Sequence, residues 1–305
     1  MFDSSSGTIV VTGASGWVGR TVLEHLARLL PKEEFQFRLR AFSSQGGFIR
    51  LVDGQTIETQ PLSALPSLAY TEGFSFLLHA AFLTPDRFTA LGLDSYTAIN
   101  RSITKLVESA VSSTPAVRVV HFSSGAAACI ESNQFLSSAS TQLYGALKLE
   151  EEKRLQAIAS TLVLRIYALS GRHIREPRRY ALGDFIAQAL LENSLQVQSR
   201  SPVVRGYVHA GCLAELAIKW LFSDLVPPVK AVNAVTHEVN LIDLARTVAA
   251  VFGGLSVEVR DQSTHDSSIY TARPDRMQTM LKLLHVGVPT LEHQIRDTAL
   301  ADFRS

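Results

Sequence analysis

The sequence predicts an α/β fold: a doubly wound, mainly parallel sheet with a smaller mixed α/β lobe. Three observations lead there. Short β-branched runs alternate with stretches of helical apolar spacing through the first half of the chain. The first of these runs ends in a glycine-rich turn, and past Tyr167 the alternation weakens into loops, prolines and shorter elements.

The elements follow in order. Thr8-Ile9-Val10-Val11 reads as the first strand, and Arg20 to Leu30 as a helix with Val22, Leu23, Leu26, Leu29 and Leu30 on its apolar face. Phe35 to Phe42 fits a second strand stopped by Ser43-Ser44-Gln45-Gly46-Gly47, Thr56 to Thr59 a third, and Phe74 to Ala80 a fourth. Tyr96 to Val111 is helical, Val117 to Ser123 a strand, Leu143 to Ala159 a helix and Thr161 to Tyr167 a strand. Beyond these, Gly171 to Arg179 reads as a loop, Leu182 to Asn193 as a helix and Gln196 to Val204 as an extended piece. Tyr207 to Phe222 reads as a strand and then a helix, Leu225 to Val235 as two prolines and a strand, and Leu241 to Phe252 as a helix. The sheet domain is expected over residues 1–168, with 204–235 returning to it, and the covering lobe mainly over 169–305.

Composition narrows the function classes. The chain has 305 residues, 46% hydrophobic, and 29 basic against 28 acidic side chains for a net charge of +1. That content suits one large domain or two modest ones. A near-neutral balance gives no support to a nucleic-acid partner or a polybasic membrane surface. Cys129 and Cys212 are too few to staple a fold or build a zinc site, which fits a reducing compartment. No secretory signal and no apolar run near a membrane span of about 20 residues is visible, so a cytoplasmic protein is expected.

Gly13-Ala14-Ser15-Gly16-Trp17-Val18-Gly19 lies between the first strand and the first helix. There an early glycine permits a tight turn, a middle one lets backbone approach a pyrophosphate, and the last lets helix pack on strand. The spacing is one residue longer than G-x-G-x-x-G; alone it would read as a plain glycine-rich turn, and its position between strand and helix favours a Rossmann-type dinucleotide loop. The second strand ends in Phe42-Ser43-Ser44, with Arg38 and Arg40 upstream and no acid. A carboxylate there would bind the adenine ribose and repel a 2′-phosphate. Its absence leaves NADP or NAD possible, with only a slight lean to NADP, because Arg40 reads first as a solvated strand residue.

Tyr144 and Lys148 stand one helical turn apart. A tyrosine with a pKa near 10 is a poor acid–base at neutral pH, and a neighbouring ammonium favours its phenolate. Lys148 could also bond the nicotinamide ribose. The strand Val117 to Phe122 ends in Ser123-Ser124-Gly125-Ala126, at the strand end where open α/β sheets bind ligands. Ser124 could hold a substrate oxygen, or the Ser-Ser-Gly could simply end the strand.

Together these segments resemble the extended short-chain dehydrogenase/reductase family, which includes NAD-dependent epimerases and dehydratases of nucleotide sugars. Thr12 to Gly19 is similar to its T-G-x-x-G-x-x-G loop, His79-Ala80-Ala81 to its H-x-A-A element, and Asn100 falls at its helix asparagine. The resemblance implies Ser124, Tyr144 and Lys148 as the catalytic triad. It implies cofactor contacts from Gly13, Ser15, Gly16, Trp17, Val18, Gly19, Ser43, Ser44, Ala80, Ala81, Asn100, Tyr144 and Lys148.

On the substrate side, Arg205-Gly206-Tyr207-Val208-His209 resembles the R-D-[FY]-V-H segment whose arginine meets a nucleotide diphosphate, and Asn233 the asparagine of a later turn. Arg172, Arg175, Arg178 and Arg179 form a basic loop suited either to phosphate or to solvent, and Arg273 is a further candidate. The histidines show no metal-like spacing, and His209 reads as structural.

Departures are visible. Ala168 and Arg172 replace the asparagine and proline of R-x-x-N-x-x-G-P, and Gly211-Cys212 stands where the family has an acid. Gly125 and Ala126 follow Ser124 where 4,6-dehydratases carry Asp-Glu, which disfavours that elimination. The resemblance implies an NAD(P)-dependent epimerase or keto-reductase of a nucleotide sugar. The competing reading is a non-catalytic NAD(P)-binding sensor or scaffold. A homodimer through the helices at Tyr96 to Val111 and Leu143 to Ala159, with Val107, Leu143 and Leu147 as apolar positions, is also expected.

Overall fold

The structure is a computed structural model describing residues 7–134, 136, 138–191, 194–198, 202–227, 231–260 and 268–303. Asn193 at the end of the expected helix, residues 199–201 within Gln196 to Val204, and residues 228–230 within Leu225 to Val235 lie outside the described residues.

In chain order the first elements are β1 (Ile9–Thr12), α1 (Trp17–Leu29), α2 (Lys32–Arg38), β2 (Leu39–Ser43), β3 (Gly47–Arg50), β4 (Thr56–Pro61), α3 (Leu65–Thr71), β5 (Phe76–His79), α4 (Phe88–Ser112), β6 (Arg118–Ser124), α5 (Gly125–Glu131), α6 (Ala139–Ile158) and β7 (Ser160–Ile166). Then come β8 (Ala168–Ser170), α7 (Ala181–Leu191), β9 (Ser194–Val197), β10 (Val203–His209), α8 (Ala210–Leu221), β11 (Val232–Ala234), β12 (His237–Asn240), α9 (Leu241–Val251), β13 (Ser256–Val259), β14 (Ser268–Tyr270), α10 (Asp275–Leu283) and α11 (Leu291–Thr298).

The chain divides into two compact units, one holding the residues up to Arg165 and Ala214–Val232, the other Ile166–Leu213 and the residues from Asn233 on. In the first, an eight-stranded sheet runs in the order β11-β7-β6-β5-β1-β2-β4-β3. β1 pairs in parallel with both β2 and β5, and β5 with β6; the hairpin strand β3 is antiparallel to β4. The fold is the doubly wound Rossmann type, as the alternation of elements predicts. Strand order reverses at β1, so the crevice at the carboxyl ends of β1 and β5 is the topological switch point where such sheets bind ligands. Val10, Phe42, Leu65, Leu77, Val107, Val119 and Leu155 form one core cluster of this unit.

The region Phe35 to Phe42 differs from the strand read in the sequence, because its first half is helix. Pro31 precedes α2, and Glu33 and Glu34 lie in its first turn, where carboxylates favour a helix start. A helix puts Phe35 and Arg38 on one face, and these are 1% and 4% exposed while Phe37 is 75% exposed. The alternating Phe and Arg residues imitate a strand pattern that only begins at Leu39. β3 and α5 are also additions to the sequence reading.

The second unit carries β12-β10-β14, with β8 pairing β10, and a separate parallel pair of β9 and β13. Leu182, Ile186, Leu195, Tyr207, Leu244, Val248 and Ile295 form its core cluster. Among the described residues no helix is long and apolar enough to cross a membrane.

Candidate active site

The glycine loop sits at the switch point. Gly13 has φ +69°, and a Cβ there would lie 2.5 Å from the Ala80 carbonyl carbon. A Cβ on Gly19 would lie 2.1 Å from the Gly13 carbonyl oxygen. Glycine is therefore required at both places, and β1, β5 and α1 close on one another around the loop. Gly16 caps α1 without a side-chain hydrogen bond, and the first turn of α1 carries no acid. Backbone N–H groups at that end favour an anion, so the loop fits the pyrophosphate of a dinucleotide. Ser15, Trp17 and Val18 stand in the same turn, and Ala80 and Ala81 form its opposite wall.

At the end of β2, the buried Ser43 hydroxyl is within 3.1 Å of Thr59 Oγ1 and accepts from the Gly46 N–H, while Ser44 is exposed. Arg38 bonds Glu34 and the Gly7 carbonyl, and Arg40 pairs with Glu72 at 3.2 Å. Arg38 ends α2 and Arg40 is the second residue of β2, both away from the ligand-facing end of that strand. Asn100 is buried; its amide accepts from the Leu83 N–H at 2.8 Å and donates to the Leu83 carbonyl at 3.4 Å. Tyr96 also donates to that carbonyl at 2.7 Å. These two residues of α4 hold the segment after β5 in place.

Ser124 ends β6 and caps α5, accepting from the Ala126 N–H at 3.2 Å. A Cβ on Gly145 would lie 2.7 Å from the Ala126 carbonyl oxygen, so this glycine lets α6 approach α5 closely. The contact falls one residue after Tyr144 and two after Ser124, which brings the hydroxyl-bearing end of β6 and the tyrosine of α6 to the same part of the fold. Tyr144 is half-buried and meets the Phe82 ring edge-on with centroids 5.7 Å apart.

Lys148 is buried. Its Nζ donates to the Phe122 carbonyl and to Glu151 Oε2, each at 3.1 Å, and lies 4.0 Å from the Phe82 ring centroid. Glu151 is wholly buried: Oε1 accepts from His79 Nε2 at 3.1 Å and from Thr104 Oγ1 at 2.9 Å, and His121 Nε2 stands 3.4 Å from Oε2. The His79 Nδ1 meets Thr12 Oγ1 at 2.7 Å, and the two imidazoles stack with centroids 5.3 Å apart. Burial by itself would raise the Glu151 carboxyl, but Lys148, His79 and His121 outweigh it and hold that carboxyl well below the usual carboxylate range. Burial, and then Lys148, keep His121 well below its ordinary value and hence neutral.

His79, His121 and Glu151 are the one group of three metal-ligand types brought together among the described residues. The cation beside Glu151 is the Lys148 ammonium, and Glu151 is held by hydrogen bonds from Lys148, His79 and Thr104, with His121 stacked on His79. The sequence reading passed over Glu151, His121, Thr104, Phe82 and Gly145. Glu151 carried a usable signal, being one turn beyond Lys148 on the same helical stripe as Tyr144. The others come from four separate segments, and no spacing rule joins them.

In the second unit, Arg205 donates to the Val204 and Ser268 carbonyls, each at 2.9 Å, and to Ser268 Oγ at 3.1 Å. Arg172 pairs with Asp297 at 2.6 Å, and His209 Nε2 meets the other carboxylate oxygen at 3.0 Å. Arg178 faces Asp184 and Arg179 faces Glu176, while Arg273 is exposed. Asn233 Oδ1 accepts from the Tyr167 hydroxyl at 3.3 Å. The candidate arginines are thus spread over three places within this unit.

A glycine-rich turn at the switch point of a doubly wound parallel sheet, with Ser124 ending β6 and Tyr144 and Lys148 on α6, defines a Rossmann-type α/β fold. The chain belongs to the NAD-dependent epimerase/dehydratase family, whose model matches residues 9–233. No curated protein sequence matches it. Among solved structures it is similar to a UDP-N-acetylglucosamine 4-epimerase from Methanobrevibacter ruminantium M1 in complex with UDP-N-acetylmuramic acid, with TM-score 0.75, 17% identity, and 96% of this chain and 97% of that one covered. It is similar to an NAD-dependent NDP-hexosamine 5,6-dehydratase involved in tunicamycin biosynthesis, with TM-score 0.70, 17% identity, and 96% of each chain covered. A UDP-glucuronic acid 4-epimerase from Bacillus cereus, in complex with UDP-glucuronic acid and NAD, gives TM-score 0.70 at 15% identity, covering 96% of this chain and 98% of that one.

Proposed function

We propose that this protein is an NAD(P)-dependent epimerase or keto-reductase acting on a nucleotide sugar. The observation that carries the reading is the pairing of two features in one unit. The glycine cradle accepts no side chain at Gly13 or Gly19, and Gly145, the residue after Tyr144, packs α6 closely on α5, the helix that Ser124 caps. A bound nicotinamide supplies the hydride acceptor or donor. Tyr144 takes the proton from a sugar hydroxyl as its carbon is oxidised and returns it on reduction. Ser124 hydrogen-bonds the same oxygen, and Lys148 supplies positive charge that favours the Tyr144 phenolate.

Gly125 and Ala126 leave the site without an acid pair for water elimination, which supports hydride chemistry over 4,6-dehydration. The cofactor is NAD or NADP. No carboxylate at Ser43-Ser44 repels a 2′-phosphate, while Arg38 and Arg40 are bound elsewhere and offer it no cation. The second unit is read as the substrate lobe, with Arg205, Arg172 and Arg273 as its candidate phosphate contacts. The homodimer reading stands on α4 and α6. Val107 and Leu147 are buried within the unit itself, and half-exposed ion pairs join the two helices through Arg101–Glu150 and Arg154–Glu108. A monomer by sedimentation at micromolar concentration would remove that reading.

A second reading, a cofactor-binding sensor without catalysis, draws on the enclosure of the Lys148 ammonium by Glu151, Phe122 and Phe82. The two are separated by incubating the purified protein with NAD or NADP and a panel of nucleotide sugars. Epimerised or reduced product is expected with at least one sugar. Cofactor binding without product or hydride exchange for any of them sinks the enzyme reading and leaves the sensor.

A further inference from the structure

Tyr144, Lys148 and Glu151 lie at positions i, i+4 and i+7 of α6, a single stripe along the helix. Lys148 is the middle member: its Nζ touches Glu151 at 3.1 Å on one side, and on the other it faces the Phe82 ring that also packs on Tyr144. We propose that Glu151 is a positioning residue for the proton-transfer site, fixing the Lys148 ammonium at the buried end of the stripe and subtracting from its positive field at Tyr144. The inference rests on the reading of Tyr144 as acid–base and adds the group that sets its working pH.

The surroundings leave Glu151 as the buried negative charge paired with Lys148. His79 faces it from β5, His121 from β6, Thr104 from α4 and Lys148 from its own helix. Thr104 brings no charge, and neither ring nitrogen of His121 has a hydrogen-bond partner. The neighbouring carboxylate, Glu152, is bound to Arg165. Tyr144 is faced by Phe82 from the segment after β5 and, electrostatically, by Tyr96 of α4. Seven residues of helix separate Tyr144 from Glu151 by about 10 Å along the axis. At an effective dielectric of about 20, one charge at that distance moves a tyrosine titration by about one pH unit.

The test is a spectrophotometric titration of tyrosinate in wild type, Tyr144→Phe, Glu151→Gln and the double variant. The chain has 7 tyrosines, and subtracting each Tyr144→Phe curve isolates the one that matters. In Glu151→Gln the Tyr144 titration is expected to move down by about one pH unit. No movement would show a purely structural role for Glu151, and upward movement would show that Lys148 loses its charge without its partner; either result overturns the proposal. Should Glu151→Gln not fold, Glu151→Asp carries the same test, because a shorter side chain draws the carboxylate away from Lys148. A smaller shift in the same direction is then expected, and its absence counts against the proposal. The titration needs neither cofactor nor substrate, so its failure is distinct from a failure to turn over nucleotide sugars.

Discussion

Glu151 and Glu152 are neighbours on α6, both buried, and they are neutralised in different ways. Glu152 receives the planar fork of Arg165, with Nε donating at 3.0 Å and Nη2 at 2.6 Å, and it also accepts from Ser123. Arg165 reaches on to Glu131 at 2.7 Å, so this ion pair ties α6 to β7, β6 and α5. Burial opposes the charge on Arg165, yet its hydrogen bonds to Glu152 and Glu131 hold its pKa above the ordinary value. Such a guanidinium has one geometry and one protonation state. Glu151, one residue earlier and so about 100° around the helix, turns instead to Lys148, two imidazoles and a threonine. The arginine pair fixes where the helix lies. The lysine pair places a charge where Tyr144 can feel it.

The largest effect expected from breaking this contrast is on stability. Arg165→Met leaves Glu152 buried without its cation and should cost about 3–5 kcal/mol in urea denaturation. The Tyr144 titration should stay in place; a shift as large as that of Glu151→Gln would erase the distinction between the two carboxylates.

The next effect is on pH dependence. His121 has a depressed value in the fold, so its contribution is complete above its unfolded pKa of about 6.5 and is lost as pH falls below that. Stability should decline between neutral and mildly acidic pH by at most about 1.4 kcal/mol per pH unit for this one proton. His121→Leu should flatten that decline, and an unchanged slope would mean that another group carries it. Glu151 acts lower: its depressed carboxyl contributes fully above about pH 4.3 and loses that contribution as pH falls towards its folded value.

The smallest effect is expected at Arg40. Its pair with Glu72 is partly exposed at the start of β2, so Arg40→Ala should change stability by no more than about 0.5 kcal/mol. Affinity for NADP, measured by titration, should also be unchanged. A selective loss of NADP binding would place this arginine at the cofactor after all.

The sequence shows most plainly what is encoded by short spacing. The glycine loop, the Ser124 strand end and the Tyr144–Lys148 turn each lie within a few residues, and each stands in the element that the alternation of runs assigns it. What failed was local ambiguity or long-range assembly. Phe35 to Phe42 reads as a strand because Phe and Arg alternate, and helix burial of Phe35 and Arg38 decides otherwise. The cluster around Glu151 draws on Thr12, His79, Thr104 and His121 from separate strands and a helix, so only the folded sheet brings it together. Past Leu241 to Phe252, the short strands β13 and β14 and the helices α10 and α11 carry too little periodic pattern to stand out.

In the proposed enzyme Tyr144 moves the substrate proton while the glycine loop holds the cofactor. This division of roles is tested most directly by measuring turnover of an accepted nucleotide sugar and cofactor affinity side by side in wild type and Tyr144→Phe. Turnover should fall about 10²–10⁴-fold, with cofactor affinity changed by less than about threefold. Equal turnover in the two proteins would contradict the account.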